Sequence, residues 1–156
     1  MVAASMFGVT TPSVDRARAV LSDRGYEVLV FHMTGVGGRT LESLATGGHL
    51  AGVLDVTTTE LADELVGGVF SAGPERLTGA GRVGIPQVVS VGALDMVNFW
   101  GKSTIPEQFR QRNLYMHNPQ VTLMRTTRDE NRAIGEFWGR VGDSVEMIAG
   151  NAVAVL

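Results

Sequence analysis

The stretch Gly52–Val66, GVLDVTTTELADELV, decides the fold. Its first part, Gly52–Val56, is short, apolar and β-branched, the composition of a strand buried on both faces. Thr57 and Glu60 then stand at capping-box spacing, which predicts a helix running through Val66. A buried strand that passes directly into a helix is half of a βαβ unit. Such units imply right-handed crossovers and a parallel sheet.

The same alternation extends in both directions. Ala4–Val9 reads as a strand, and Pro12-Ser13 opens a helix over Val14–Arg24 with Gly25 just past its end. Glu27–His32 (EVLVFH) is a second strand. It is followed by a glycine turn at Thr34–Arg39 and a short helix at Leu41–Ala45. Downstream, Pro74 suits a first helical turn, with a helix over Glu75–Ala80, and Gln87–Ser90 is a fourth strand. Gly92 to Met116 is irregular. Thr127 and Glu130 form a second capping box, opening a helix to about Arg140, and Ala152–Leu156 (AVAVL) is the last strand. The expectation is one α/β domain over residues 1–156: an open parallel sheet of about five strands with helices on both faces, Rossmann-like or flavodoxin-like. A chain that opens almost directly into a strand and ends inside one reads as a fragment of a longer protein.

Composition narrows the function classes. The net charge of −3 lacks the basic surplus of a nucleic-acid binder, so neither DNA nor RNA is expected. There is no cysteine, which removes disulfides, thiolate metal sites and thiol nucleophiles. Met1–Ser5 lacks the features of a signal peptide and no window suits a membrane span, so a cytoplasmic location is expected. No Gly-x-Ser-x-Gly elbow or dinucleotide fingerprint is present. The three histidines are scattered without i, i+4 spacing, so no metal site is expected.

In an open parallel sheet, ligands bind beyond the carboxyl ends of the strands. Those ends carry Thr10-Thr11, Thr34–Thr40 with Gly35, Gly37, Gly38 and Arg39, and Thr57-Thr58-Thr59-Glu60. Hydroxyls and unpaired amides at helix starts favour anions, and Arg39 offers a bidentate fork. Thr10, Thr11, Gly35, Gly37, Gly38, Arg39, Thr58 and Thr59 are therefore the nominated lining of a site for a nucleotide or phosphometabolite. Asp55, on an apolar strand, needs a partner or a ligand. His32 ends a strand and is placed to face the cleft. An alternative reading is an enzyme on a small phosphorylated or carboxylated metabolite, with His117 as acid–base and Asp95 or Glu60 assisting. A third is an inert assembly module using Phe99, Trp100, Phe109 and Trp138 as an exposed aromatic patch.

Several longer motifs carry a family resemblance. Ser5–Pro12 (SMFGVTTP), Val30-Phe31-His32, Leu54-Asp55 with Thr57–Leu61, Gly92–Phe99 (GALDMVNF), Tyr115 with His117-Asn118-Pro119, and Leu123–Thr127 resemble the Tm-1-like proteins, an uncharacterised protein family of two α/β subdomains. The resemblance implies that this chain is the second subdomain. It also implies ATP, with or without magnesium, as the ligand, contact with the absent N-terminal subdomain, and a homo-oligomer.

Overall fold

The computed structural model describes residues 1–144 and 152–155, with side chains through residue 136. Five strands form one parallel sheet: β1 (Val2–Met6), β2 (Val28–His32), β3 (Gly52–Thr57), β4 (Gln87–Gly92) and β8 (Ala152–Val155). The order β2-β1-β3-β4, with β8 paired outside β4, is that of a doubly wound sheet. Val2, Ala3 and Ala4 of β1 align with Val28, Leu29 and Val30 on one side and Gly52, Val53 and Leu54 on the other.

Helices cover the two faces unequally. α1 (Thr11–Ser22) lies on one face, where Val14 and Leu21 meet Ala4, Val28, Leu54 and Val56. α2 (Val36–Thr46) and α4 (Gly79–Val83) lie on the other, where Leu41, Ala45 and Ala80 meet Ala3, Met33 and Val53.

Part of the stretch expected to be irregular, together with the residues just after it, forms a second sheet. β5 (Met96–Phe99), β6 (Leu114–Asn118) and β7 (Val121–Arg125) form an antiparallel sheet in the order β5-β7-β6. Its short strands, split by polar turns, hid the period-2 signal that a longer strand shows. Between the sheets sits α3 (Thr59–Val66), whose Leu61 and Ala62 pack with Val97, Phe99, Met124 and Ile134 of α5 (Arg128–Ser144).

Several boundaries move. β1 ends at Met6 because Gly8–Thr10 makes a 3-10 turn. α2 begins at Val36, so the expected glycine turn is mostly its first helical turn. Residues Glu75–Thr78 are turns ahead of α4, not a helix. The Thr57/Glu60 capping box does not form, since the Thr57 hydroxyl bonds to Ser5 O at 3.2 Å and Glu60 points elsewhere. The Thr127/Glu130 box does form, with Thr127 N donating to Glu130 Oε2 at 2.6 Å and Glu130 N to Thr127 Oγ1 at 3.1 Å.

Asp55 finds the partner it requires. The Arg76 guanidinium, 1% exposed, donates from Nη2 to Asp55 Oδ1, from Nε to Glu60 Oε2 at 2.8 Å and from Nη1 to Glu42 Oε1 at 3.0 Å. Gln87 Nε2 satisfies the second Asp55 oxygen at 2.8 Å. Burial alone would loosen the proton on Arg76, but Asp55, Glu60 and Glu42 outweigh it and hold that proton above its ordinary range. Glu42 also accepts the amides of Leu77 and Gly79, each at 2.7 Å, and so caps α4 from α2. One cation thereby joins β3, α3, α2 and the entry to α4. Arg76→Met strands two fully buried carboxylates. It is expected to cost about 3–5 kcal/mol in urea unfolding and to speed amide exchange at Gly35–Arg39.

Asp63, also fully buried, is the second anchor. Its Oδ1 accepts Asn98 N at 2.6 Å, and its Oδ2 accepts Phe70 N and Asn98 Nδ2, each at 3.0 Å. α3 thereby holds both β5 and the loop bearing Phe70. Burial pushes this carboxyl up from 3.8 to about 7, and the bonds from Asn98 and Phe70 only partly offset it. The folded protein therefore binds this proton more tightly than the unfolded chain does. The contribution is present below about pH 4 and is lost as pH rises towards about 7. Between those limits unfolding free energy is expected to fall by up to about 1.4 kcal/mol per pH unit. Asp63→Asn is expected to flatten that slope. It should also cost about 1–3 kcal/mol at acid pH, because one amide NH2 must face the N–H donors.

Candidate functional site

The carboxyl ends of β1 and β2 open onto one edge of the sheet, as a doubly wound fold requires. Most hydroxyls nominated there serve the fold. Thr10 Oγ1 lies 2.7 Å from Thr57 Oγ1 and 3.0 Å from Phe7 O, and Thr11 Oγ1 donates to Phe7 O at 3.1 Å. Thr58, buried, donates to Ser90 O at 3.0 Å. Thr59, also buried, donates to Met96 O at 3.3 Å and accepts Asn98 Nδ2 at 3.0 Å. These threonines stitch β3 to β4 and β5.

The start of α2 binds an anion, but an internal one. Gly35 N and Gly38 N donate to Glu60 Oε1 at 2.7 and 3.2 Å. Gly35, with φ +82°, turns the chain into the helix, and a Cβ there would lie 2.6 Å from Ser71 O. A Cβ on Gly37 would overlap His32 O, and one on Gly38 would overlap the Glu60 carboxylate. The glycines thus serve close approach to protein groups. Arg39 alone among these residues faces solvent, its Nη1 donating to Ser71 O at 3.0 Å.

The acid–base candidates are spread out. Glu60 is fully buried and held by Arg76 and the α2 amides, a correction to its expected role beside a substrate. Asp95 is exposed in the β4–β5 turn, and His117 is exposed on β6 of the antiparallel sheet. Among the described residues, no hydrogen bond joins any two of these three. Asn118 forms a hairpin turn, its Oδ1 accepting Gln120 N at 2.8 Å and Val121 N at 2.9 Å.

Sequence reading missed an aromatic row along this edge. The Phe7 ring stacks on His32 with centroids 5.1 Å apart and planes inclined 22°. Phe70 meets Phe7 edge-on at 6.2 Å, and Trp100 meets Phe70 at 5.4 Å and 89°. His32 and Trp100 are exposed. Phe70 precedes Ser71, whose carbonyl holds Arg39. The hint was that Phe7 directly follows β1 and Trp100 directly follows β5. Phe70 sits in a glycine loop and gave no such hint. Of the expected aromatic patch, Phe99 is buried against Phe109 at 5.9 Å, and the Trp138 side chain lies outside the described residues.

These residues fit a nucleotide in part. Flat ring surfaces and an exposed guanidinium suit a heterocycle and an anionic group. Gly8 N and Val9 N, heading the 3-10 turn after Phe7, donate to no protein acceptor among the described residues, and the space beside Gly8 is open. Among the described residues no three His, Asp or Glu side chains cluster to hold a metal ion, so magnesium would need ligands from the nucleotide's own phosphates.

Comparison with known proteins agrees with the motifs. Residues 1–155 match the C-terminal domain of an uncharacterised protein family, UPF0261. A UPF0261 protein of Clostridium tetani is 59% identical over 139 residues, covering 89% of this chain and 34% of the relative. One from Mesorhizobium japonicum is 56% identical over 135 residues, covering 86% and 34%. The ToMV resistance protein Tm-1 of Solanum lycopersicum is 54% identical over 136 residues, covering 87% of this chain and 18% of that protein. The chain thus spans about a third of the length of the bacterial relatives it matches. It belongs to the UPF0261 family, corresponds to that family's C-terminal domain, and is similar over the same region to the Tm-1 proteins.

Proposed function

We propose that this domain binds a nucleotide or a similar phosphorylated metabolite at the carboxyl edge of β1 and β2. The carrying observation is the row His32–Phe7–Phe70–Trp100, with the exposed Arg39 bonded to the carbonyl of Ser71, the residue that follows Phe70. Base–aromatic stacking is worth about 1–3 kcal/mol per base and tolerates any flat heterocycle. Arg39 adds a charge-assisted bond to a phosphate oxygen, and the amides of Gly8 and Val9, without an acceptor among the described residues, are available for a second. This moves the phosphate away from the α2 amides, which Glu60 already occupies. The acid–base reading lacks comparable support, because Glu60 is closed to solvent.

The tomato likeness does not extend this to virus resistance. The same region is 54% identical over 136 residues to both the ToMV resistance protein and the ToMV susceptible protein, so it does not separate the two.

Calorimetric titration of this chain and of the full-length Clostridium tetani relative with ATP, Mg-ATP and ribose 5-phosphate tests the proposal. ATP is expected to bind with quenching of Trp100 fluorescence, and ribose 5-phosphate more weakly. No heat with any of the three at high micromolar concentration, in either protein, overturns it. Arg39→Ala is expected to weaken ATP binding about 10-fold or more, the worth of one hydrogen bond to a charged group. Unfolding free energy should stay within about 0.5 kcal/mol, since the side chain is exposed.

A further inference from the structure

Connection handedness explains why one face of the parallel sheet is thinly covered. The step from β1 to β2 runs one way across the sheet, while β2 to β3, β3 to β4 and β4 to β8 all run the other way. Right-handed crossovers therefore put α1 on one face and every later helix on the opposite face. The packing agrees: α1 meets Ala4, Leu54 and Val56, while α2 and α4 meet Ala3 and Val53. Among the described residues a single helix thus serves the α1 face of a five-stranded sheet.

The central strand records the asymmetry. On β3, Val53, Asp55 and Thr57 face α2 and are buried, whereas Leu54 and Val56 alternate with them and are only half-buried. Val88, beside Leu54 on β4, is 36% exposed, and Val20 on the neighbouring side of α1 is 38% exposed. Together they make an apolar groove. Ala17 and Val20 form its wall, Leu54 and Val88 its floor, and Tyr26 and Pro86 its end. Parallel sheets are normally covered on both faces by helices, because their strands are apolar on both sides.

We infer that this groove seats an amphipathic helix contributed by the longer polypeptide in which the family carries this domain. A groove flanked by a helix and floored by strands takes a second helix alongside α1, with an apolar stripe at i, i+3 and i+4 on Leu54 and Val88. The bacterial relatives supply the chain, since this domain covers only 34% of their length. The inference is independent of the ligand proposal, whose residues lie at the carboxyl edge.

Cysteine protection tests it, since the native chain has no cysteine. Val88→Cys in this chain is expected to react with a maleimide at the rate of an exposed thiol. A cysteine at the matching position of the full-length Clostridium tetani relative, read by mass spectrometry of that peptide, is expected to react at least tenfold more slowly. Met116→Cys, at a 62% exposed position on β6, should react alike in both proteins. Equal rates at position 88 overturn the inference. So does a dimer of the isolated chain, seen by sedimentation, that Val88→Glu dissociates, because a second copy would then be the occupant. As an independent readout, Val88→Glu should lower the melting temperature of this chain by several degrees less than the matching change lowers that of the relative, because Val88 is only 36% exposed here. Equal responses count against the inference.

Discussion

The Arg76 guanidinium is the contact on which the rest of this fold leans. It is buried among Asp55, Glu60 and Glu42, carboxylates from β3, α3 and α2. Such a cluster gains little over an apolar core when complete, but it is costly to break, because the remaining charges have no water. Its main effect is on geometry. Each carboxylate also bonds a further group. Asp55 takes Gln87, Glu42 caps α4, and Glu60 binds the amides at the head of α2. Arg76 thereby sets where α2 begins and how closely it approaches α3. Gly38 is required there because any side chain would overlap Glu60.

That arrangement reshapes the ligand question. A helix start with glycines and a nearby Arg is a familiar anion site. Here the protein supplies its own anion, and the threonine hydroxyls are likewise spent on bonds between strands. What remains accessible at the sheet edge is a guanidinium and a set of ring faces. Their positions depend on the second anchor, since the Asp63 carboxylate holds the Phe70 amide and Asn98, two residues before Trp100. Two buried carboxylates, Glu60 and Asp63, thus organise the proposed site without entering it. No helix among the described residues is long and apolar enough to cross a membrane.

Covering of the parallel sheet follows a different constraint. Once strand order turns at β1, connection handedness commits all later helices to one face. Among the described residues α1 alone covers that face, and Leu54, Val56 and Val88 are left partly exposed there.

Much of this was legible in the sequence. Apolar β-branched runs alternating with amphipathic stretches are local signals, and they located the parallel strands to within a few residues. The Thr127/Glu130 capping box is local too, and it forms as read. The need of Asp55 for a partner followed from burial alone. Its partner did not, because Arg76 lies on a turn 21 residues away with nothing nearby to mark it. The antiparallel sheet was obscured because β5 and β6 are short and meet only through β7. Sequence determined which polar groups stand at the strand ends. Only the tertiary structure decided which stay free, because a hydrogen-bond acceptor such as Glu60 reaches its donors from 22 to 25 residues away and removes them from solvent.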